Sequence, residues 1–324
     1  MSAINYRKEL TNQIIEQLEA GTAPWIKPWN PDLAPIGSPH NAVTGRPYQG
    51  GNHLWLSCQS YADNRWCTYR QAQEQGWQVR KNERSTSVEY WQWTEKKKDE
   101  HGKIVEVKLD QPRVFFAHLF NAAQLEGIGP QPAIELPWKP EEAAERIIQA
   151  SGADIRHDQS NRAFYSPLYD TVHLPLRLQF PDSQRYYATV LHEIGHWAEH
   201  PSRLNHDLSH SFGTPGYARG ELRAELASYF LSSRIGIGHD PSQHASYISS
   251  WIDLLRRDHH EIFRAAKDAE KITEYVLGFA LEKNKEHGLG TENESQATKP
   301  LPINLQINTT QPPKVRRKER ELEC

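Results

Sequence analysis

The residues with most chemistry to offer are His192-Glu193-Ile194-Gly195-His196. On a helix, side chains four apart share one face, so the imidazoles of His192 and His196 can reach a single divalent metal while Glu193 projects beside it. The chemistry such a group suits is hydrolysis: the metal acidifies a water and the carboxylate takes its proton. A third ligand has to come from elsewhere. Downstream, Tyr217-Ala218-Arg219-Gly220-Glu221-Leu222-Arg223-Ala224-Glu225-Leu226 reads as a second helix with Glu221 and Glu225 on one face. One carboxylate there completes a set of two histidines and one glutamate, with a fourth position left for water. The other, one turn away, can orient a ligating histidine through its far nitrogen.

By analogy with gluzincins, in which the ligand precedes an acidic or amide residue by four positions, Glu221 is assigned to the metal and Glu225 to support. The reverse assignment stays open. His200 follows His196 by four residues, but Pro201 stops the helix at once and leaves His200 at a frayed end. It is not expected to ligate, and His206 and His210 less so. Zinc is the default ion for this donor set, and manganese or another divalent metal also suits it. H-E-x-x-H arises by chance in helices whose histidines are merely solvated. An acidic partner helix argues for the metal.

Several elements have to position this site. The apolar lead-in Tyr186-Tyr187-Ala188-Thr189-Val190-Leu191 carries the motif on a helix running from Tyr186 to Glu199. Trp197 is expected to pack. Before it, residues 163–167 and 170–175 look like two short strands joined by a turn, and a helix begins at Pro140, with Glu141, Glu142 and Glu145 favourable in its first turns, and ends near Ser151-Gly152. After it, apolar positions from Tyr247 to Leu277 read as helical packing around the site.

The 324 residues suffice for two ordinary domains. Net charge is −3, so any nucleic-acid face must be local. No apolar run approaches the roughly 18 to 20 residues of a membrane span, and the N-terminus lacks the apolar core of a signal peptide. With three cysteines, Cys58, Cys67 and Cys324, and no metal-type spacing among them, a cytoplasmic location without membrane association is expected.

Everything before the Pro/Gly-rich connector at 127–140 is built differently. An amphipathic helix opens the chain with Tyr6, Leu10, Ile14, Ile15 and Leu18, capped near Gly21. Seven of the ten tryptophans fall within residues 25–93, interleaved with Lys27, Arg46, Arg70, Arg80, Lys81 and Arg84. Cationic side chains hold phosphates and rings stack bases, so this mixture suits single-stranded DNA; an aromatic-rich core gives the same composition. Residues 87–93 alternate as a half-buried strand, 95–102 read as a solvated hairpin tip, and 114–120 as a buried strand.

Gly21-Thr22-Ala23-Pro24-Trp25 with Lys27-Pro28-Trp29, Asn41 to Tyr48, Gln71-Ala72 through Val79-Arg80-Lys81, Ala163-Phe164-Tyr165, His192 to Trp197 and Glu221 to Leu226 together carry a resemblance. Up to about residue 280 the chain resembles the ArdC antirestriction proteins of conjugative plasmids, and is similar to the N-terminal part of TraC-type plasmid primases. The resemblance implies an α+β protein of two domains. An N-terminal α/β domain, 1–126, binds single-stranded DNA, and after the linker a mostly helical zincin-like metallopeptidase domain with a small sheet occupies 141–282. It further implies protection of entering plasmid DNA from host type I and type II restriction. A host restriction component is a candidate protein target. The DNA contacts are expected at Trp25, Lys27, Trp29, Arg46, Tyr48, Arg70, Arg80 and Lys81, the metal at His192, His196 and Glu221, and catalysis at Glu193. This sequence has Gly220-Glu221 where the family has an acidic pair, which leaves the proposed ligand in place. Residues 283–324 fall outside the resemblance, and their polar composition predicts disorder. Two other readings compete: a peptidase with no DNA role, and a DNA-binding protein whose metal is structural.

Overall fold

The computed structural model describes residues 3–23, 25, 37–59, 61–98, 100, 103–131, 140–239 and 247–286. Met1–Lys283 group into one compact unit, and a second begins at Asn284. Lys27, Trp29, the linker residues 132–139 and the tail from 287 lie outside the described residues.

The first helix, α1 (Ala3–Glu19), follows directly from its apolar spacing: Tyr6, Leu10, Ile14, Ile15 and Leu18 are all buried. Gly21, at φ 67°, takes the left-handed turn that ends it. Then come β1 (His40–Asn41), α2 (Gly50–Ser57), β2 (Arg65–Thr68), α3 (Tyr69–Glu74) and β3 (Gln78–Val79). Two long strands, β4 (Thr86–Lys98) and β5 (Ile104–Asn121), form an antiparallel hairpin, and β6 (Leu125–Glu126) pairs with β3. The main sheet has the order β1-β2-β5-β4, with only β1 and β2 parallel.

The hairpin differs from expectation in two ways. Residues 95–98 are strand, not tip, because cross-strand and neighbouring charges satisfy one another in water: Lys97 and Arg113 both reach Glu95, at 2.6 and 2.9 Å. And 114–120 is only half covered, with Phe115 43% exposed while Leu119 is buried. Pairing runs from Thr86↔Leu119 to Gln92↔Arg113, then slips and resumes at Thr94↔Lys108. Pro112 lies within that slip, where a residue without an N–H donor does least harm to the ladder.

The C-terminal half starts with α4 (Pro140–Ser151), followed by a small sheet of β7 (Asp154–Gln159), β8 (Phe164–Ser166) and β9 (Thr171–Pro175) in the order β7-β9-β8. Four helices complete it: α5 (Ser183–Ala198), α6 (Pro215–Ile235), α7 (Ile248–Arg257) and α8 (Glu261–Glu286). The architecture is α+β, with sheets in the N-terminal region and a mostly helical C-terminal region.

One apolar core runs through both regions. It joins Leu10, Trp25 and Trp66 to Leu191, Leu222, Phe230, Trp251 and Ile272. Polar ties reinforce it: Thr11 Oγ1 donates to the His259 carbonyl at 2.7 Å, and the Gly50 amide donates to Glu270 at 3.0 Å.

Candidate metal centre

Helix α5 is deeply enclosed: every residue from Tyr186 to Gly195 is buried. Asp182 caps its start by accepting the Arg185 amide at 2.8 Å. Helix α6 begins with Thr214 as cap and Pro215 in the first turn, and ends at Gly236 with φ 74°. The two helices cross where Gly195 meets Ala224. A Cβ on Gly195 would lie 3.3 Å from the Ala224 Cα, so the glycine inside the motif lets the backbones close. Ser228 Oγ fastens the same crossing by donating to the Ala188 carbonyl at 3.0 Å.

That crossing brings the ligand candidates together. One donor atom from each of His192, His196 and Glu221 lies within 4.8 Å of the others. His192 Nε2 is 3.4 Å from Glu221 Oε2 and His196 Nε2 is 3.6 Å from Glu221 Oε1. Behind the rings, carboxylates hold the opposite nitrogens. His192 Nδ1 meets Glu225 Oε2 at 3.0 Å, and His196 Nδ1 meets Glu199 Oε2 at 3.3 Å. A proton kept on each Nδ1 leaves each Nε2 lone pair facing Glu221, which is the tautomer a cation needs. The donor set therefore fits a divalent ion, with Glu221 facing it and Glu225 standing behind His192.

The electrostatics point the same way. Burial opposes a charge on His192, yet its hydrogen bonds to Glu221 and Glu225 prevail and raise it to about 9. His196 is likewise raised well above the usual histidine value, against its burial, by Glu199 and Glu221. Glu221 is driven far below the carboxylate range despite burial, because both imidazoles face it. This is an anionic socket that draws positive charge. Glu193 is 5% exposed beside it. The Tyr217 and Tyr247 hydroxyls lie 3.2 Å apart, and burial with the neighbouring Glu221 keeps Tyr217 protonated.

Glu199 was not anticipated from the sequence. Fully buried, it accepts from His206 Nδ1 at 3.1 Å and from Arg223 Nε at 2.5 Å as well as holding His196. Burial would raise its carboxyl, but His196, His206 and Arg223 bring it down to about 2. His239 similarly bonds Glu225, at 3.0 Å. The signal for Glu199 was its place three residues after His196, on the same helix face. His206 also lines a surface cavity of about 470 Å³ with Pro167, His200 and Asn205. We predict that Glu199→Gln weakens affinity for a divalent ion by about 10- to 100-fold, as read by calorimetric titration of metal-stripped protein. Unchanged affinity would mean that His196 keeps its orientation without that charge.

Of the residues expected to hold DNA, Lys27 and Trp29 lie outside the described residues. Trp25 is 0% exposed and Tyr48 8%, both within the apolar core, so neither offers a ring face to a base. Composition cannot distinguish a packed tryptophan from a stacking one. Arg70 is exposed and paired with Glu74 at 2.7 Å, and Arg80 donates to the Ala123 carbonyl at 2.9 Å. Arg46 and Lys81 are exposed.

Two family models match this chain: the N-terminal domain of the anti-restriction factor ArdC over residues 4–121, and a zincin-like metallopeptidase over residues 142–268. The crystal structure of the antirestriction protein ArdC from the R388 plasmid, in its metal-free form, superposes with a TM-score of 0.69 and 33% sequence identity, covering 85% of this chain and 98% of that one. The chain belongs to the ArdC family. The Mn(II)-bound structure of the R388 ArdC superposes with a TM-score of 0.67 and 32% identity, over 85% and 97% of the two chains. Beyond ArdC itself, a DNA primase TraC of Escherichia coli is 50% identical over 287 residues, and an uncharacterised Sinorhizobium fredii protein is 37% identical over 281 residues and 90% of its length. The chain spans only 27% of the length of that primase.

Proposed function

We propose that this ArdC-family protein binds single-stranded DNA and protects incoming plasmid DNA from host restriction, and that its C-terminal region carries a metal-dependent, gluzincin-like peptidase site directed at a host restriction component. The observation that supports the chemical half most strongly is the convergence of His192, His196 and Glu221 within 4.8 Å with Glu193 buried beside them. Zinc is the first choice of ion for such donors, and the Mn(II) form of the R388 relative supports manganese as a second.

When bound, the ion would supply Lewis acidity towards a scissile carbonyl and towards water. The chain's own residues do the rest. Glu193 takes a proton from water and returns it to the departing amine. Glu225 and Glu199 keep the imidazoles in register. Tyr217, beside Glu221, and Tyr247 hold protonated hydroxyls that a developing oxyanion would accept as donors.

The test is transformation of restriction-proficient cells with unmodified and fully modified plasmid, comparing wild type, Glu193→Gln and His192→Ala. Wild type should raise the recovery of unmodified plasmid alone, and both variants should lose that gain. If Glu193→Gln protects as well as wild type while His192→Ala does not, the metal is structural. If both variants protect, the site plays no part in protection.

A further inference from the structure

With Trp25 in the core, the rings available to a ligand have to be sought elsewhere. Among the described tryptophans only Trp91 and Trp93 are exposed, at 44% and 52%. Leaving such large apolar surfaces in water forgoes the free energy that burying them would yield. Both stand on β4 of the long hairpin, with ring planes 20° apart and centroids separated by 6.4 Å.

The pair is held in place. The Trp91 indole Nε1 donates to Glu89 Oε2 at 3.3 Å. The guanidinium of Arg7, gripped by Glu89 through bonds of 2.9 and 2.7 Å, lies 5.1 Å from the Trp91 ring centroid. Trp93 falls at the register slip between Gln92 and Thr94, and bulges of this kind re-aim a side chain. Two aromatic faces fixed before any ligand arrives lose little conformational freedom on binding.

Exposed lysines line the rest of the arm at Lys96, Lys97, Lys98, Lys103 and Lys108. Residues 91–113 hold six Lys and Arg against five Asp and Glu, so positive charge alone is a weak attractant here. Stacking must therefore supply most of the affinity, and only unpaired bases expose their faces to be stacked.

Resting on the single-stranded DNA reading above, we infer that Trp91 and Trp93 form the stacking platform for that DNA, with the hairpin lysines running along its phosphates. The platform accepts single strands of any sequence and discriminates against duplex.

Fluorescence anisotropy of a labelled oligothymidylate, titrated with the full chain at several salt concentrations, tests this. Trp93→Ala should weaken binding by about tenfold and the Trp91→Ala/Trp93→Ala pair by more than that, while Trp91→Phe/Trp93→Phe keeps most of the affinity. The slope of log affinity against log salt should stay that of wild type, since no cation has been removed. A folded double-alanine variant that binds as wild type does overturns the platform and leaves the DNA reading standing. A wild-type chain with no single-strand affinity overturns both. Should the double-alanine variant fail to fold, because Trp91 is tied to Glu89 and Arg7, Trp93→Ala and the phenylalanine pair decide. Sedimentation showing a wild-type dimer that Trp93→Ala dissolves would assign the rings to a contact between copies and overturn the platform.

Discussion

Trp25→Ala should remove about 3–5 kcal/mol of folding stability, whether or not DNA is present. The ring is fully buried in the core that links the N-terminal helix to the helices of the metal region. Deleting it loses the transfer free energy of a large apolar side chain and leaves a cavity that the surrounding side chains fill only in part. Urea denaturation followed by circular dichroism measures the loss as a fall in the midpoint. A variant with unchanged stability and a selective defect in DNA binding would put the ring at the surface and contradict its place in the core.

A comparable loss is expected of Glu270→Ala. Glu270 is 7% exposed on α8; it pairs with Arg234 of α6 and accepts the amide of Gly50 at the start of α2. Removing the carboxylate strands a largely buried guanidinium and a backbone donor, which costs about 3–5 kcal/mol. Glu270→Gln keeps the hydrogen-bonding shape and should lose less. Because α6 also carries Glu221, the alanine variant should bind a divalent ion more weakly than wild type in the same calorimetric titration. Equal stability of wild type and Glu270→Ala would show that this buried ion pair adds nothing to the joining of the two regions.

The metal centre was legible because its information is local. Two histidines four apart, with a glutamate between them, fix their own relative geometry once a helix forms, and an acidic helix of matching period announces its partner. The helices were legible for the same reason, as in the five apolar positions of α1. What the sequence concealed depends on contacts made at a distance. Glu199 gains its role from Arg223, which the crossing of α5 and α6 brings near it, and from His206, which the turn after α5 folds back onto it. Strand β7 has the polar sequence Asp-Ile-Arg-His-Asp-Gln, with no alternation to reveal it, and exists because β9 offers it a parallel edge. The tryptophans were the hardest to read. A ring that packs and a ring that stacks a base have the same residue type and similar neighbours in sequence, and burial separates Trp25 from Trp91 and Trp93.

Gly195 shows how one position can carry both kinds of information. Within the motif it is only the variable position before the second histidine. In the fold it is the point at which α6 comes close enough for Glu221 to face both imidazoles.

The central claim is that His192, His196 and Glu221 hold one divalent ion. X-ray data collected at the zinc absorption edge, from crystals of the metal-stripped protein soaked in zinc, test it most directly. The expected result is a single anomalous peak about 2.0–2.2 Å from Nε2 of His192, Nε2 of His196 and a carboxylate oxygen of Glu221, with Glu225 still bonded to His192 behind it. A peak held by Glu225 in place of Glu221, or no peak between α5 and α6, would contradict the account.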